Sequence, residues 1–294
     1  MTNRILLLGN TGQLGWELNR TLITLGDLST YDYPKIDISD KDKTIKILRE
    51  INPELIVNAT AYTNVDKAES EPDLAMAING IGPGVIAEEA KRLGSAFIHY
   101  STDYVFSGTK GEPYTEKDDP DPISVYGETK LAGERAVQEV GGAYWIIRTS
   151  WLYSLRRPCF VTKLLQWSRE YEILRIVDDQ VSNPTWARTL AEATAQILSQ
   201  NKKDLFSYVL ENNGLYHMTD SGFCSRFEWA KAILELTSQE EEKPQIQIKP
   251  AKSSDFPTQA ERPMKSYLNC KKFEDSFNLK LPPWEISLNL AMHE

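Results

Sequence analysis

The sequence predicts an α/β protein, a doubly wound parallel sheet followed by a smaller C-terminal lobe. Three observations carry that expectation. Short unbroken apolar runs alternate with amphipathic helical patterns through the first 150 residues, as strands covered by helices on both faces require. Three glycines, Gly9, Gly12 and Gly15, follow the first apolar run directly. Beyond about residue 150 the alternation loses regularity, and Pro, Asn and Asp gather at 178–184, 212–214 and 253–263, which read as loops.

In chain order, residues 5–8 form the first strand and 14–25 the first helix, whose apolar residues recur at three- and four-residue spacing. A second strand ends before Asp32. A helix over 41–51 starts with Asp40 and Asp42 and stops at Asn52-Pro53, the expected signals at each end. Strands over 55–58, 96–100 and 144–148 are separated by helices over 73–93 and 126–140. In the second half, a helix over 186–198 is long enough to pack back on the sheet, and 227–236 is also helical. The charge run Glu240, Glu241, Glu242, Lys243 reads as a solvated loop.

With 33 Lys and Arg against 42 Asp and Glu, the formal charge is −9. The mean field repels polyanions, so a nucleic-acid groove is excluded and any phosphate site must be built from backbone and local geometry. A composition of 41% hydrophobic and 26% charged residues places the chain among folded globules. The longest apolar runs fall far short of the roughly 18 residues that span a bilayer, and the start of the chain lacks a signal-peptide core. A cytoplasmic protein without a membrane partner is expected. Cys159, Cys224 and Cys270 are scattered and odd in number, and His99, His217 and His293 lack zinc-site spacing, so neither disulfides nor a metal site is expected.

The glycine turn is the first site with chemistry in it. Gly9 permits a tight turn, Gly12 lets the backbone approach a pyrophosphate, and Gly15 lets helix and strand pack closely. The helix N-terminus beyond them offers free N–H groups and a partial positive charge. Residues 1–150 therefore read as a Rossmann-type NAD(P)-binding domain, rejoined by about 176–200, and 151–294 as mainly a substrate-binding lobe. Asp32, about 20 residues on, stands where a carboxylate accepts from a ribose 2′-OH and favours NADH; it is equally placed as a surface turn residue. Asp37, with Ile38, is a second candidate for the adenine end, or a helix cap.

Tyr126 and Lys130 lie four apart, on one helical face. A phenol with a pKa of about 10 needs a neighbouring ammonium to favour its phenolate, and the pair suits proton transfer at an alcohol or ketone. The spacing also occurs at Tyr31/Lys35, interrupted by Pro34, and at Tyr267/Lys271 in the irregular region. Only Tyr126/Lys130 opens a helix downstream of the glycine turn, preceded by the strand-end segment Ser101-Thr102-Asp103. Thr102 is placed to polarise a substrate carbonyl, or to cap a loop. Asp103 either holds a substrate hydroxyl or caps the next turn, and Trp151 either walls a sugar or base or belongs to the core. Lys130 and Arg262 are expected to make the substrate cleft less negative than the average surface.

These segments, Gly9-Asn10-Thr11-Gly12-Gln13-Leu14-Gly15, Asn58-Ala59-Thr60-Ala61-Tyr62-Thr63 with Val65-Asp66-Lys67-Ala68-Glu69, Ser101-Thr102-Asp103-Tyr104-Val105-Phe106, Tyr126-Gly127-Glu128-Thr129-Lys130 and Arg148-Thr149-Ser150-Trp151, together resemble the dTDP-4-dehydrorhamnose reductase family of extended short-chain dehydrogenase/reductases. The resemblance runs on through Asn183-Pro184-Thr185 and Arg262-Pro263. It implies reduction of the C4 ketone of a dTDP-sugar with NADPH or NADH. It also implies cofactor contacts from Gly12, Gln13, Leu14, Asp37, Ile38, Ala61, Tyr62, Thr63 and Tyr100, and substrate contacts from Thr102, Asp103 and Trp151. Some members hold a divalent metal between glutamates at a homodimer contact; Glu17 and Glu294 match two of those places, whereas Arg188 stands at the third. Two other roles remain open on this scaffold. One is a nucleotide-sugar dehydratase or epimerase, though Asp103 is followed by Tyr104 rather than a second carboxylate. The other is a non-catalytic regulatory subunit like that of methionine adenosyltransferase.

Overall fold

The computed structural model describes residues 3–201, 203–238 and 246–294; the charge run at 240–243 lies outside them. Its strands are β1 (Asn3–Leu8), β2 (Gly26–Tyr31), β3 (Leu55–Asn58), β4 (Ala96–Thr102), β5 (Tyr144–Thr149), β6 (Leu152–Tyr153), β7 (Ile173–Val177), β8 (Val181–Ser182), β9 (Thr185–Trp186), β10 (Gly214–His217), β11 (Cys224–Ser225) and β12 (Gln247–Ala251). The helices are α1 (Gln13–Leu22), α2 (Lys41–Ile51), α3 (Val65–Ser70), α4 (Pro72–Met76), α5 (Gly82–Leu93), α6 (Val125–Val140), α7 (Phe160–Glu170), α8 (Ala187–Ser199), α9 (Leu205–Glu211), α10 (Arg226–Ser238), α11 (Lys271–Phe277) and α12 (Trp284–Met292). None of the described helices is long and apolar enough to cross a membrane.

Six strands form one parallel sheet in the order β10-β5-β4-β3-β1-β2. Successive side chains of β1 go to opposite faces. Ile5 and Leu7 meet Leu14, Leu18 and Leu22 of α1 and Leu190 and Ile197 of α8, while Leu6 and Leu8 meet Leu48 of α2, Ile86 of α5 and Val137 of α6. All four β1 side chains are buried, each contributing about 1.5–3 kcal/mol of transfer free energy. As its length suggested, α8 returns to the sheet. A third core lies in the second half of the chain, where Trp229 and Ile233 of α10 pack with Leu164 of α7, Ile176 of β7 and Leu288 of α12.

Three local expectations are corrected. The 212–214 cluster is not wholly a loop, because Gly214 starts β10 and the sheet takes its edge strand from there. That four-residue strand is too short to show a clear period. The first helix ends at Leu22, and Leu25 stays buried in the link to β2. The helix expected over 73–93 is interrupted by a π-helical turn, Ala77–Ile81, between α4 and α5. A π turn rotates one residue out of the ordinary helical face, here Asn79, whose amide accepts from Tyr62 N at 2.8 Å and donates to Thr129 Oγ1 of α6 at 3.2 Å.

Candidate active site

The registers align the strand ends, with Leu8 opposite both Tyr31 and Asn58, Asn58 opposite His99, and Thr102 opposite Thr149. A cleft of about 850 Å³ opens along this C-terminal edge, where doubly wound sheets bind ligands. Gly9 adopts φ +85°, and Gly12 forms the N-cap of α1. A Cβ on Gly15 would fall 1.9 Å from the Gly9 carbonyl oxygen, so α1 reaches the strand only because position 15 has no side chain. Gly9, Gly12, Gln13 and Leu14 line the cleft, whereas Gly15 stands behind it. The bare turn, the free N–H groups of α1 and a cleft of this size fit a dinucleotide.

Thr102, Tyr126 and Lys130 converge on the same cleft, from the end of β4 and the start of α6. Thr102 closes β4, and its hydroxyl accepts from Tyr104 N at 3.2 Å and donates to Asp103 Oδ1 at 3.3 Å, so it does cap the following turn while standing beside the Tyr126 phenol. Helix α6 begins where Ser124 Oγ accepts from Gly127 N at 3.2 Å and Glu69 Oε1 accepts from Val125 N at 2.9 Å. A Cβ on Gly127 would meet the Tyr104 carbonyl oxygen at 2.2 Å; its absence brings Tyr126 against that turn. Lys130 Nζ donates to the Tyr100 carbonyl at 2.6 Å and lies 3.4 Å from His99 Nε2. Burial pushes the Lys130 ammonium down to about 8, opposed by Glu134.

The profile of the RmlD substrate binding domain family matches residues 3–294. The chain belongs to that family. It is 40% identical to a dTDP-4-dehydrorhamnose reductase of Escherichia coli K12, across 99% of this chain and 97% of that one. A crystal structure of a dTDP-4-dehydrorhamnose reductase from Clostridium acetobutylicum superposes with a TM-score of 0.89 at 33% identity, covering 98% of each chain. Another from Bacillus anthracis, solved in complex with NADP, has a TM-score of 0.89 at 32% identity, covering 100% of this chain and 99% of that one.

Against this family background, several expectations are corrected. Burial dominates at Tyr126 and raises its phenol above the ordinary value, with Thr102 pulling the other way; Lys130 is committed to the Tyr100 carbonyl rather than to the phenol. Tyr62 is not on the cleft wall: its hydroxyl donates to Glu71 at 2.7 Å and its backbone is pinned by Asn79, while Ala61 and Thr63 on either side do line the cleft. Arg262 does not reach the wall either. It forms a two-pronged pair with Asp66 at 2.6 and 3.1 Å, tying the C-terminal segment to α3. Asp103 is buried, its carboxylate accepting from Ser266 Oγ and, at 3.1 Å, from Ser182 Oγ. Burial pushes it up to about 6, against the hydrogen bonds from Ser266 and Ser182. It still lines the cleft, and through those serines it ties β4 to β8 and to the C-terminal segment.

Asp32 and Asp37 both face the cleft but also serve the fold. Asp32 accepts from Thr11 N at 2.9 Å, Thr11 Oγ1 at 2.6 Å and Tyr33 N at 2.8 Å, bracing the glycine turn; Asp37 accepts from Ser39 N and Oγ at 3.0 and 2.6 Å. Ile38 and Tyr100 lie on the wall, and the Tyr100 hydroxyl is paired with Thr194 at 2.7 Å. Trp151 has φ +39°, an outlier for a bulky residue and one that clusters at functional sites. Its ring faces the cleft and stacks on Trp229 at 5.6 Å, so it is at once wall and core.

The metal places do not fit a cation in this member of the family. Glu294 Oε1 accepts from Arg188 Nη1 at 2.9 Å and Arg156 Nη2 at 3.3 Å, and Arg156 Nε reaches Glu17 Oε1 at 3.3 Å. Guanidinium groups occupy the carboxylates that would ligate a divalent ion.

Sequence reasoning missed Arg157 and Arg226, which also line the cleft. With Lys130 they balance Asp32, Asp37 and Asp103 on a wall without formal net charge, in a chain of −9. The less negative cleft is therefore present, but Arg262 has no part in it. Neither arginine carries a local signal; only packing brings them there.

Proposed function

We propose that this chain reduces the C4 ketone of dTDP-4-dehydro-L-rhamnose to dTDP-L-rhamnose with NADPH or NADH. The observation that carries the reading is the convergence of Thr102, Tyr126 and Lys130 on a cleft that begins at the glycine turn, in a family whose full-length relatives bear the reductase name. The turn and the N-terminus of α1 hold the dinucleotide phosphates, and Asp37, Ile38, Ala61, Thr63 and Tyr100 hold the rest. When bound, the cofactor supplies the hydride.

Tyr126 gives its phenolic proton to the C4 oxygen as charge develops there. Its raised pKa keeps it protonated at neutral pH, the state a reduction needs. Thr102 donates a hydrogen bond to the same oxygen and orients it. Lys130 places a positive charge one helical turn away, which stabilises the phenolate left after the transfer. Burial lowers the ammonium only to about 8, so it is charged at neutral pH. Trp151 walls the sugar. In the same reading the enzyme is a cytoplasmic homodimer; exposed apolar side chains on α1 and α12, Trp16, Ile286 and Leu290, support a protein contact on that side.

The test follows oxidation of NADPH and NADH in parallel with dTDP-4-dehydrorhamnose, with product analysis. Formation of dTDP-L-rhamnose is expected. A 4-keto-6-deoxy sugar made from dTDP-glucose, or no turnover with either cofactor, would overturn the reading.

A further inference from the structure

Arg226 begins α10 and brings its guanidinium to the cleft wall. The planar group lies 3.6 Å from the Trp151 ring centroid, with the Phe160 and Trp229 rings at 5.0 and 5.4 Å. Arg148 and Arg262 are each held by a carboxylate through two hydrogen bonds or more. The Arg226 backbone N–H donates to the Gln180 carbonyl at 3.1 Å, but its guanidinium makes no hydrogen bond and no ion pair among the described residues. Aromatic faces attract the cation but leave its five N–H donors unused. Burial pushes it down to about 10, with Tyr104 and Asp103 nearby pulling it up, so it is charged at neutral pH. Arg157 also lines the cleft, but its segment lies against α1, where Ser154 N donates to Gln13 Oε1 at 2.7 Å and Arg156 Nε reaches Glu17 at 3.3 Å.

The cleft is polarised along its length. Asp32 and Asp37 stand at the end beside the glycine turn and β2, while Arg226 lies against Trp151 beyond β5. A dinucleotide finds its phosphate site at the turn, so Arg226 is left for a second anion. A hexose whose C4 lies between Thr102 and Tyr126 carries its C1 substituent on the opposite side of the ring, directed away from both. A fixed guanidinium fork beside an aromatic wall suits a diphosphate.

We propose that Arg226 binds the diphosphate of a nucleoside diphosphate sugar. The sugar's identity rests on the function proposed above; the guanidinium fork itself asks only for a nucleoside diphosphate.

The test compares wild type, Arg226→Gln and Arg226→Lys for equilibrium binding of dTDP, UDP, thymidine and NADPH, with steady-state kinetics on the keto sugar. Losing a charge-assisted contact of this kind should weaken dTDP binding by about 10- to 100-fold in Arg226→Gln. NADPH and thymidine binding should be unchanged, KM for the sugar should rise with kcat nearly constant, and Arg226→Lys should recover only part because it lacks the fork. Wild-type affinity for dTDP should fall more steeply with salt than that of Arg226→Gln. Equal dTDP binding by wild type and Arg226→Gln would overturn the proposal, as would parallel loss of dTDP and NADPH, or a wild type that binds neither dTDP nor UDP. A wild type inactive on the keto sugar, yet binding dTDP or UDP through Arg226, would refute the proposed function and leave this inference standing.

Discussion

Arg148 and Glu134 form a two-pronged ion pair, Nε to Oε1 at 2.9 Å and Nη2 to Oε2 at 2.6 Å, with both side chains almost wholly buried. The pair locks the end of β5 to α6 one turn beyond Lys130, so the face that presents Tyr126 and Lys130 is fixed against the sheet. Buried pairs of this kind contribute little when replaced whole by apolar groups, but breaking one partner leaves an uncompensated charge. Arg148→Met should therefore cost about 3–5 kcal/mol, and the double variant Arg148→Met, Glu134→Met should recover much of it. Urea unfolding of the two measures the difference; equal losses would show that the pair is not coupled.

Tyr126→Phe should lower kcat by about 10²- to 10⁴-fold, the range for loss of a positioned general acid, while NADPH binding is kept. Thr102→Val removes one donor to the carbonyl oxygen and should cost less. Wild-type turnover by purified Tyr126→Phe would contradict the proton-donor assignment.

Turnover should fall as pH rises through about 8, because burial brings the Lys130 ammonium down to that value and it is charged only below it. Tyr126, shifted upward, stays protonated across the same interval. Glu134 supports the charged form of Lys130, so Glu134→Gln should move the alkaline limb to lower pH. The pH profile of kcat/KM checks both statements, and an unmoved limb in Glu134→Gln would count against them.

Asp220 is wholly buried and accepts from Trp186 N at 3.0 Å; burial pushes its carboxyl up to about 7 from an ordinary 3.8. Between those values the folded state binds more protons than the unfolded state, so this group's contribution to stability falls as pH rises from about 4 to 7. Asp220→Asn should flatten that part of the stability curve, measured as melting temperature against pH. An unchanged slope would mean that Asp220 does not titrate there.

Most of the first half of the fold was legible because its determinants are local. Ile5 to Leu8, buried on both faces, must read as an unbroken apolar run, and Gly9, Gly12 and Gly15 lie in one turn where steric need and spacing coincide. Asp40 and Asn52 cap α2 as their residue types suggest. The π turn that aims Asn79 and the short strand β10 were not legible, since one depends on a single helix bulge and the other on an open sheet edge.

What the sequence alone determined was the doubly wound class, the phosphate-binding turn and the Tyr126/Lys130 pair, each set by neighbours within a few residues. Tertiary structure alone decided the partners of the charged groups. Asp66 lies in α3 and meets Arg262 across 196 positions, and Asp103 turns to Ser266 across 163. Arg226, whose own neighbourhood in the chain carries no sign of a ligand, ends against Trp151 at the cleft. A charge acts on whatever folding brings within a few ångströms, and that distance is written in the packing of remote segments rather than in their spacing.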